Sequence, residues 1–271
     1  MGYVFKFAYD GSEFSGYQKG NGENSVEDTI IRRLMAAGID CGIRSAARTD
    51  RGVSAVGNAV YIDSEERPEK ISGIVNSSGK NLVLHSYAAV DSTFRPRHCD
   101  MKMYRYILAS EFVQLDIFSS ILHRFEGTHD FSCFSRTDGR RPIRTIERID
   151  TRQFGNVVYV DFYGQSFLWN QIRSIIAYSL LNQEANPHGD PFDLKSRFSG
   201  LADPYSLVLM DIFYAGVEFK SIPSPKFSKV LREEIHHTEV KIIREKLLLD
   251  RVTGKDPGLS YTFNHPWDHR S

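Results

Sequence analysis

An aspartate held between two arginines on a glycine-containing turn is the side chain best placed to do chemistry here. The stretch reads Ala46-Ala47-Arg48-Thr49-Asp50-Arg51-Gly52-Val53-Ser54-Ala55. Small residues lead into the turn, and Gly52 permits close backbone approach. Arg48 and Arg51 supply positive charge, which is expected to lower the pKa of Asp50 and keep it ionised. An ionised aspartate at a loop tip can act as a nucleophile or base on a bound substrate. The same residues also fit a plain surface turn whose arginines satisfy the acid. Two other places bear on that choice. Tyr104 and Tyr106 lie on one face of a strand with Lys102 beside them, which suits either a core or a base-stacking platform. Arg173 is the only basic residue between Arg152 and Lys195 and lies near the start of an apolar helix. A buried arginine there needs an anionic partner, whether catalytic or structural.

The basic residues keep informative company. Arg44, Arg48 and Arg51 surround the turn, and Arg95, Arg97, Lys102 and Arg105 bracket aromatics. Arg136, Arg140, Arg141 and Arg144 sit in a loop that contains glycine. The chain as a whole has 34 Lys+Arg against 34 Asp+Glu in 271 residues, a formal net charge of zero. That total hides blocks: residues 31–60 carry five basic groups against two acids, and residues 93–110 carry four against one. Such blocks suit solvated faces, and equally phosphate binding, which needs local positive surface with aromatic or arginine planes for the bases. His236-His237 and His265-x-x-x-His269 have no cysteine or acidic cluster beside them, so no metal is expected. No G-x-S-x-G, P-loop or G-x-G-x-x-G appears, which removes several hydrolase, NTPase and dinucleotide readings.

Elements that could position these residues follow from periodicity and punctuation. Strands are predicted at Tyr3–Tyr9, Asn58–Asp63, Leu82–Val90, Met101–Leu108, Ile143–Thr151, Val157–Tyr163 and Leu207–Tyr214. Ser25 with Asp28 caps a helix carrying Val26, Ile30 and Leu34, which Gly38 closes. Further helices are predicted at Pro68–Asn76, Asp116–Phe125, Phe167–Leu181 and, shorter, Phe192–Phe198. The two halves share this rhythm, so the expected class is α+β with antiparallel sheet rather than a doubly wound parallel one. The boundaries fall at 1–100, 101–220 and 221–271, the last a long amphipathic helix over Phe227–Asp250 with a tail. No apolar run reaches the roughly 18 residues of a membrane span. No signal peptide is apparent, and three scattered cysteines without a C-x-x-C pair suit a reducing cytoplasm.

At Arg48-Thr49-Asp50-Arg51-Gly52-Val53 the chain resembles the TruA family of tRNA pseudouridine synthases, whose signature is R-T-D-x-G-V. Four other stretches match the family in order: Tyr9-Asp10-Gly11-Ser12-Glu13-Phe14-Ser15-Gly16-Tyr17-Gln18, Met103-Tyr104-Arg105-Tyr106-Ile107, Gly127–Phe134 and Gln165–Arg173. The form of the last and the extension after residue 221 look archaeal or eukaryotic. Tyr17 and Ser54 depart from the Trp and His common in bacterial members. The resemblance implies two ferredoxin-like halves forming one sheet around an RNA-binding cleft, and uridine isomerisation with no cofactor. Asp50 would attack the target nucleotide at C1′ or C6, and the uracil would detach, turn and rejoin through C5. Tyr104 would stack on the flipped base and could also take the C5 proton at the end, Arg173 would pair with Asp50, and Arg48 would help fill the vacated stack. Further RNA contacts are expected from Arg51, Tyr106, Arg136, Arg140, Arg141, Phe167 and Gln171. The expected partner is tRNA, at positions 38–40 of the anticodon stem-loop, with a homodimer compatible and no membrane. Other tRNA positions, another structured RNA, or a non-catalytic RNA-binding protein are the alternatives.

Overall fold

The computed structural model describes residues 2–20, 24–77, 81–136, 139 and 141–254. Arg140, His265 and His269 lie outside them. The chain divides into one compact unit ending at Pro223 and a second starting at Ser224.

The first unit is a mixed α/β body built on a nine-stranded sheet. Its opening half runs β1 (Gly2–Tyr9), α1 (Val26–Ala36), β2 (Ile43–Ser45), β3 (Ser54–Ile62), α2 (Pro68–Asn76) and β4 (Leu82–Val90). The cap predicted for α1 is present: the Ser25 hydroxyl accepts from the Asp28 backbone N–H and donates to its carboxylate, at 3.0 and 2.6 Å. Gly38, at φ +78°, turns the chain away just beyond the helix. The next half contains β5 (Met101–Ala109), α3 (Leu115–His123), β6 (Gly127–Asp130), β7 (Ile143–Ile146), β8 (Arg148–Phe154), β9 (Val157–Gly164), α4 (Gln171–Ala185) and β10 (Leu207–Phe213). The short β11 (Lys220–Ser221) then pairs with β4. In space the order is β11-β4-β1-β3-β10-β5-β9-β8, with β2 alongside β3.

Each half has its own apolar core. Phe5, Phe7, Tyr9, Val26, Ile30, Leu34, Ile71 and Val75 pack in the first, and Phe118, Phe125, Phe131, Phe134, Val160, Phe162 and Ile175 in the second. Tyr104 packs against both. On β9 the residues Val158, Val160 and Phe162 are buried against the second core. Asp161, on the other face, is equally buried because Arg105 clasps it twice (2.7 and 2.8 Å) and Arg152 once (3.1 Å).

The halves join where β3 and β10 run parallel, Ser54 opposite Val208 and Ala55 opposite Leu209. Every other strand pair described is antiparallel. Lys6 on β1 reaches past β3 to Asp211 on β10, at 2.5 Å. Gly57 of β3 makes this crossing feasible. A Cβ there would stand 2.4 Å from the Met210 carbonyl oxygen and 2.8 Å from an Asp211 carboxylate oxygen.

Three predicted elements differ. Ile143–Thr151 is two strands, β7 paired with β6 in a separate ribbon and β8 at the edge of the main sheet. Ile146 and Ile149 are both fully buried, and residues three apart cannot face the same side of one continuous strand. The chain therefore breaks at Glu147, whose N–H donates to the Tyr163 carbonyl at 2.8 Å. Helix α4 begins at Gln171 rather than Phe167, because Asn170 adopts a left-handed φ of 66°. Between Phe192 and Phe198 there is no helix beyond one 3₁₀ turn at Pro191–Asp193. Phe192 and Phe198 instead fill an aromatic cluster with Phe134.

The second unit is described through α5 (Pro225–Val252), a 28-residue helix with no buried residue.

Gly57→Ala is expected to destabilise the protein by roughly 1–3 kcal/mol, since the obstructing atom is backbone and the strand must shift. Gly42→Ala, with nothing within 4 Å of its added Cβ, should stay within about 0.5 kcal/mol. Thermal melts of the two variants side by side check this, and equal melting temperatures would overturn the close-approach argument.

Candidate active site

The aspartate loop hangs between β2 and β3 and is tied from beneath. Tyr9, at the end of β1, exchanges a 2.7 Å hydrogen bond with the Thr49 hydroxyl. Asn58, fully buried on β3, donates to the Ala47 carbonyl at 3.1 Å and to the Tyr9 oxygen at 3.4 Å. The Tyr17 N–H donates to the Thr49 carbonyl at 3.2 Å, and its hydroxyl donates to Ser45 at 2.7 Å. Ser54 accepts from the Gly11 N–H at 3.0 Å. A Cβ on Gly11 would lie 2.2 Å from the Val53 carbonyl oxygen, so only glycine lets the early Tyr9–Gln18 segment press against the loop. Burial pushes the Tyr9 phenol up to about 12, against hydrogen bonds from Thr49 and Asn58 that lower it. It therefore stays neutral as a fixed member of this network.

The loop presents Asp50 to a cleft of about 670 Å³. Arg173 in the first turn of α4 comes from the opposite half, its Nη1 3.6 Å from the Asp50 Oδ2. Its Nε donates to the Ala202 carbonyl at 2.7 Å and its Nη1 to the Asn170 side chain at 3.4 Å. The Trp169 side chain also hydrogen-bonds Asp50. The acid's pKa nevertheless lies above the ordinary carboxylate value, because burial outweighs the favourable charge of Arg173 and these hydrogen bonds. This corrects the expectation of a lowered pKa: Arg173 does stabilise the carboxylate, but desolvation is the larger effect. Tyr104 lines the cleft with Phe167, their rings edge-to-face at 5.3 Å. The Tyr104 phenol is pushed far upward by burial, then by Tyr9 and the Asp50 charge.

Several other expected residues also meet here. Arg48 lines the cleft and donates to Gln18 at 3.1 Å. Gln171 lines it too and is fully buried, its Oε1 accepting from the Leu168 N–H at 2.8 Å. Among the described residues its Nε2 has no partner. Tyr106 does not join them: it is 2% exposed, sits in the second core and donates to the Asp203 carbonyl at 2.9 Å. The period-two alternation that aligned it with Tyr104 holds, but the second core covers that end of β5. Arg51 and Arg141 are exposed and away from the cleft lining. Arg136 is one ring removed, stacked 4.2 Å over Trp169, and Arg140 falls outside the described residues. Lys102 and Arg97, noted in the basic block around the aromatics, and Asn170 also line the cleft, though none was among the expected site residues. Lys102 shares a strand face with Tyr104, a signal present in the sequence, whereas nothing local marks the left-handed Asn170.

Comparison with known proteins bears on this geometry. The chain is 43% identical over 220 residues to tRNA pseudouridine synthase A of Thermoplasma acidophilum, covering 81% of this chain and 86% of that one. The chain belongs to the tRNA pseudouridine synthase family. The family model described as tRNA pseudouridine synthase matches residues 121–214. A protein of the same name from Picrophilus torridus is 44% identical over 81% of this chain and 84% of its own. That of Pyrococcus furiosus is 36% identical over 264 residues, 92% of this chain and 98% of its own. Membership of this pseudouridine synthase family makes the protein an isomerase and places it among archaeal relatives.

Among the described residues, Asn170 alone outside glycine has a positive φ. Asn170→Ala should cost about 1–2 kcal/mol in thermal stability and Asn170→Gly much less, because the strain comes from Cβ. A second outcome concerns the pair. An activity that needs the Asp50 carboxylate rises with pH through its pKa, and Arg173→Met removes a charge that lowers this pKa. The rising limb of the pH–rate profile of pseudouridine formation should therefore move to higher pH, and a limb that stays put would show that Arg173 does not set the state of Asp50.

Proposed function

We propose that the protein converts uridine to pseudouridine in the anticodon stem-loop of tRNA, at positions 38–40, with Asp50 as nucleophile. The observation that carries this reading is the Asp50–Arg173 pair, supplied by opposite halves and set in a cleft beside Tyr104 and Phe167. Asp50 attacks the target nucleotide at C1′ or C6. The glycosidic C1′–N1 bond breaks, the uracil turns and C5 bonds to C1′; the bond to Asp50 breaks again, displaced by C5 if it was made at C1′ and eliminated if it was made at C6, while N1 takes up a proton and the C5 proton leaves to solvent. Atoms and electrons balance without any cofactor. A carboxylate that is partly desolvated yet held by a guanidinium is poised for such an attack, because it has lost hydration without losing its counter-charge. Tyr104 stacks on the flipped uracil. Burial and the nearby Asp50 charge disfavour its phenolate, which supports stacking over proton removal. Arg48 occupies the space the base leaves, since an extruded base costs a few kcal/mol of lost stacking. Phe167, Gln171, Arg136, Arg51 and Arg141 complete the RNA contacts, and Arg140, expected among them, lies outside the described residues.

The reading of two ferredoxin-like halves rests on strand order. β4-β1-β3-β2 and β10-β5-β9-β8 each place the fourth strand beside the first, then the third and the second. A homodimer is supported by the exposed Leu231, Ile235, Ile242 and Leu249 along α5, and the cytoplasmic setting by the free Cys41, Cys99 and Cys133.

The test is tritium release from C5-labelled uridine in unmodified tRNA. Wild type should release label, and Asp50→Ala should lose release entirely while still binding tRNA. Release by both, or by neither, sinks the catalytic assignment. Mapping pseudouridine over a full tRNA set then checks the position.

A further inference from the structure

We infer that Trp169 is a positioning residue for the reaction: its indole N–H aims the Asp50 carboxylate, and Arg136, stacked on its ring, holds the indole in place. This rests on the RNA-modifying reading above and adds to it a second group that sets the direction of the acid.

Arg173 Nη1 and Asp50 Oδ2 stand 3.6 Å apart, a separation at which attraction is chiefly Coulombic and weakly directional. Charge alone leaves a carboxylate free to rotate. Trp169 supplies direction. Its side chain hydrogen-bonds Asp50, and an indole has one donor and no acceptor, so the bond runs from Nε1 to the carboxylate. Local backbone geometry fixes where that donor points. Leu168–Gln171 is a β-turn closed twice: the Gln171 N–H donates to the Leu168 carbonyl at 3.2 Å, and the Gln171 Oε1 accepts from the Leu168 N–H at 2.8 Å. Asn170, at φ 66° and ψ 1°, takes the left-handed third position that a type II turn requires. Trp169 sits at the tip of this turn, and Arg173 follows in the first turn of α4. One short segment therefore brings two donors to one acid.

The ring is held from its other neighbour. The Arg136 guanidinium lies 4.2 Å over Trp169, and the Arg136 N–H donates to the Trp169 carbonyl at 2.9 Å. Trp169 is 38% exposed and belongs to neither apolar core, yet it lines the cleft with Asp50. Its place is thus set by a hydrogen bond and a cation stack rather than by core packing.

The experiment pairs kinetics on unmodified tRNA with tryptophan emission, both on the whole protein. The chain's tryptophans are Trp169 and Trp267, so Trp267→Phe leaves Trp169 as the reporter. Without RNA, its emission should show one step with pH, because protonating Asp50 removes the charge beside the ring. That step should coincide with the rising limb of pseudouridine formation and vanish in Asp50→Asn. Asp50 is the one acid among the described residues of the cleft lining. Arg48, Arg97, Lys102, Arg173 and Tyr104 share that lining, and side chains of these types ordinarily titrate far above the carboxylate range. Trp169→Phe keeps an aromatic surface for Arg136 and removes the N–H. The donor lowers the pKa of Asp50, so its loss should move the rising limb to higher pH. On the plateau kcat should fall about tenfold, the loss of one hydrogen bond to a charged group, with tRNA affinity kept. If Trp169→Phe melts early, β-(3-benzothienyl)alanine at position 169, of the same shape with sulfur for N–H, runs the same comparison. Emission flat with pH, a step that survives Asp50→Asn, or a limb and kcat unmoved by loss of the N–H would overturn the proposal. A wild type that makes no pseudouridine would defeat the functional reading alone, because the emission step is read without RNA or turnover.

Discussion

The ion pair between Asp50 and Arg173 is the constraint on which the molecule depends. Its partners come from different halves, one on the loop before β3 and the other in the first turn of α4. Neither half alone assembles the site, and a relative displacement of about 1 Å would weaken both the Coulomb attraction and the aim of the carboxylate. The protein accepts a desolvation cost to place the acid there, and the raised pKa of Asp50 is the measure of that choice. A solvent-exposed aspartate would be more easily ionised and more heavily hydrated. Arg173 keeps the cost bounded. It is itself fixed by the Ala202 carbonyl and the Asn170 side chain, so its direction is set before any substrate arrives.

The parallel β3–β10 contact serves this pair. Two sheets of four strands could meet edge to edge in many registers, and only one puts the loop before β3 opposite the start of α4. The Lys6–Asp211 bridge and the bare Gly57 hold that register from the opposite side of the junction. Tyr104 reports the result, since it packs against both cores and also lines the cleft. A residue common to two cores is hard to displace by motion of either, so its ring keeps a fixed place in the cleft wall.

Much of this was legible in the sequence, and the reasons differ by element. Capping and turn chemistry placed α1 closely, because Ser25 and Gly38 each have one physical use at those positions. The need of Arg173 for an acid followed from burial logic alone, while the identity of that acid came from the family resemblance. The missed features are non-local. The parallel junction leaves no periodic trace, since β3 and β10 are more than 140 residues apart. Asn170 looks like an ordinary helix residue until its φ is known. The fate of Tyr106 depended on which end of β5 the second core covers. The pKa of Asp50 was misjudged because flanking arginines are visible in sequence and desolvation is not.

Charge shows the same contrast between total and place. The whole chain sums to zero, yet the cleft lining carries Arg48, Arg97, Lys102 and Arg173 against Asp50 alone. Field lines from charges in a low-dielectric recess are focused into it, while balanced charges on an open surface cancel over about one Debye length, ~8–10 Å at ordinary salt. A polyanion approaching the protein therefore meets attraction chiefly at the cleft. Its acid does not undo that attraction, because Arg173 neutralises it locally. Neutral total charge thus limits adhesion over the open surface and leaves this cleft as a place where a polyanion gains attraction.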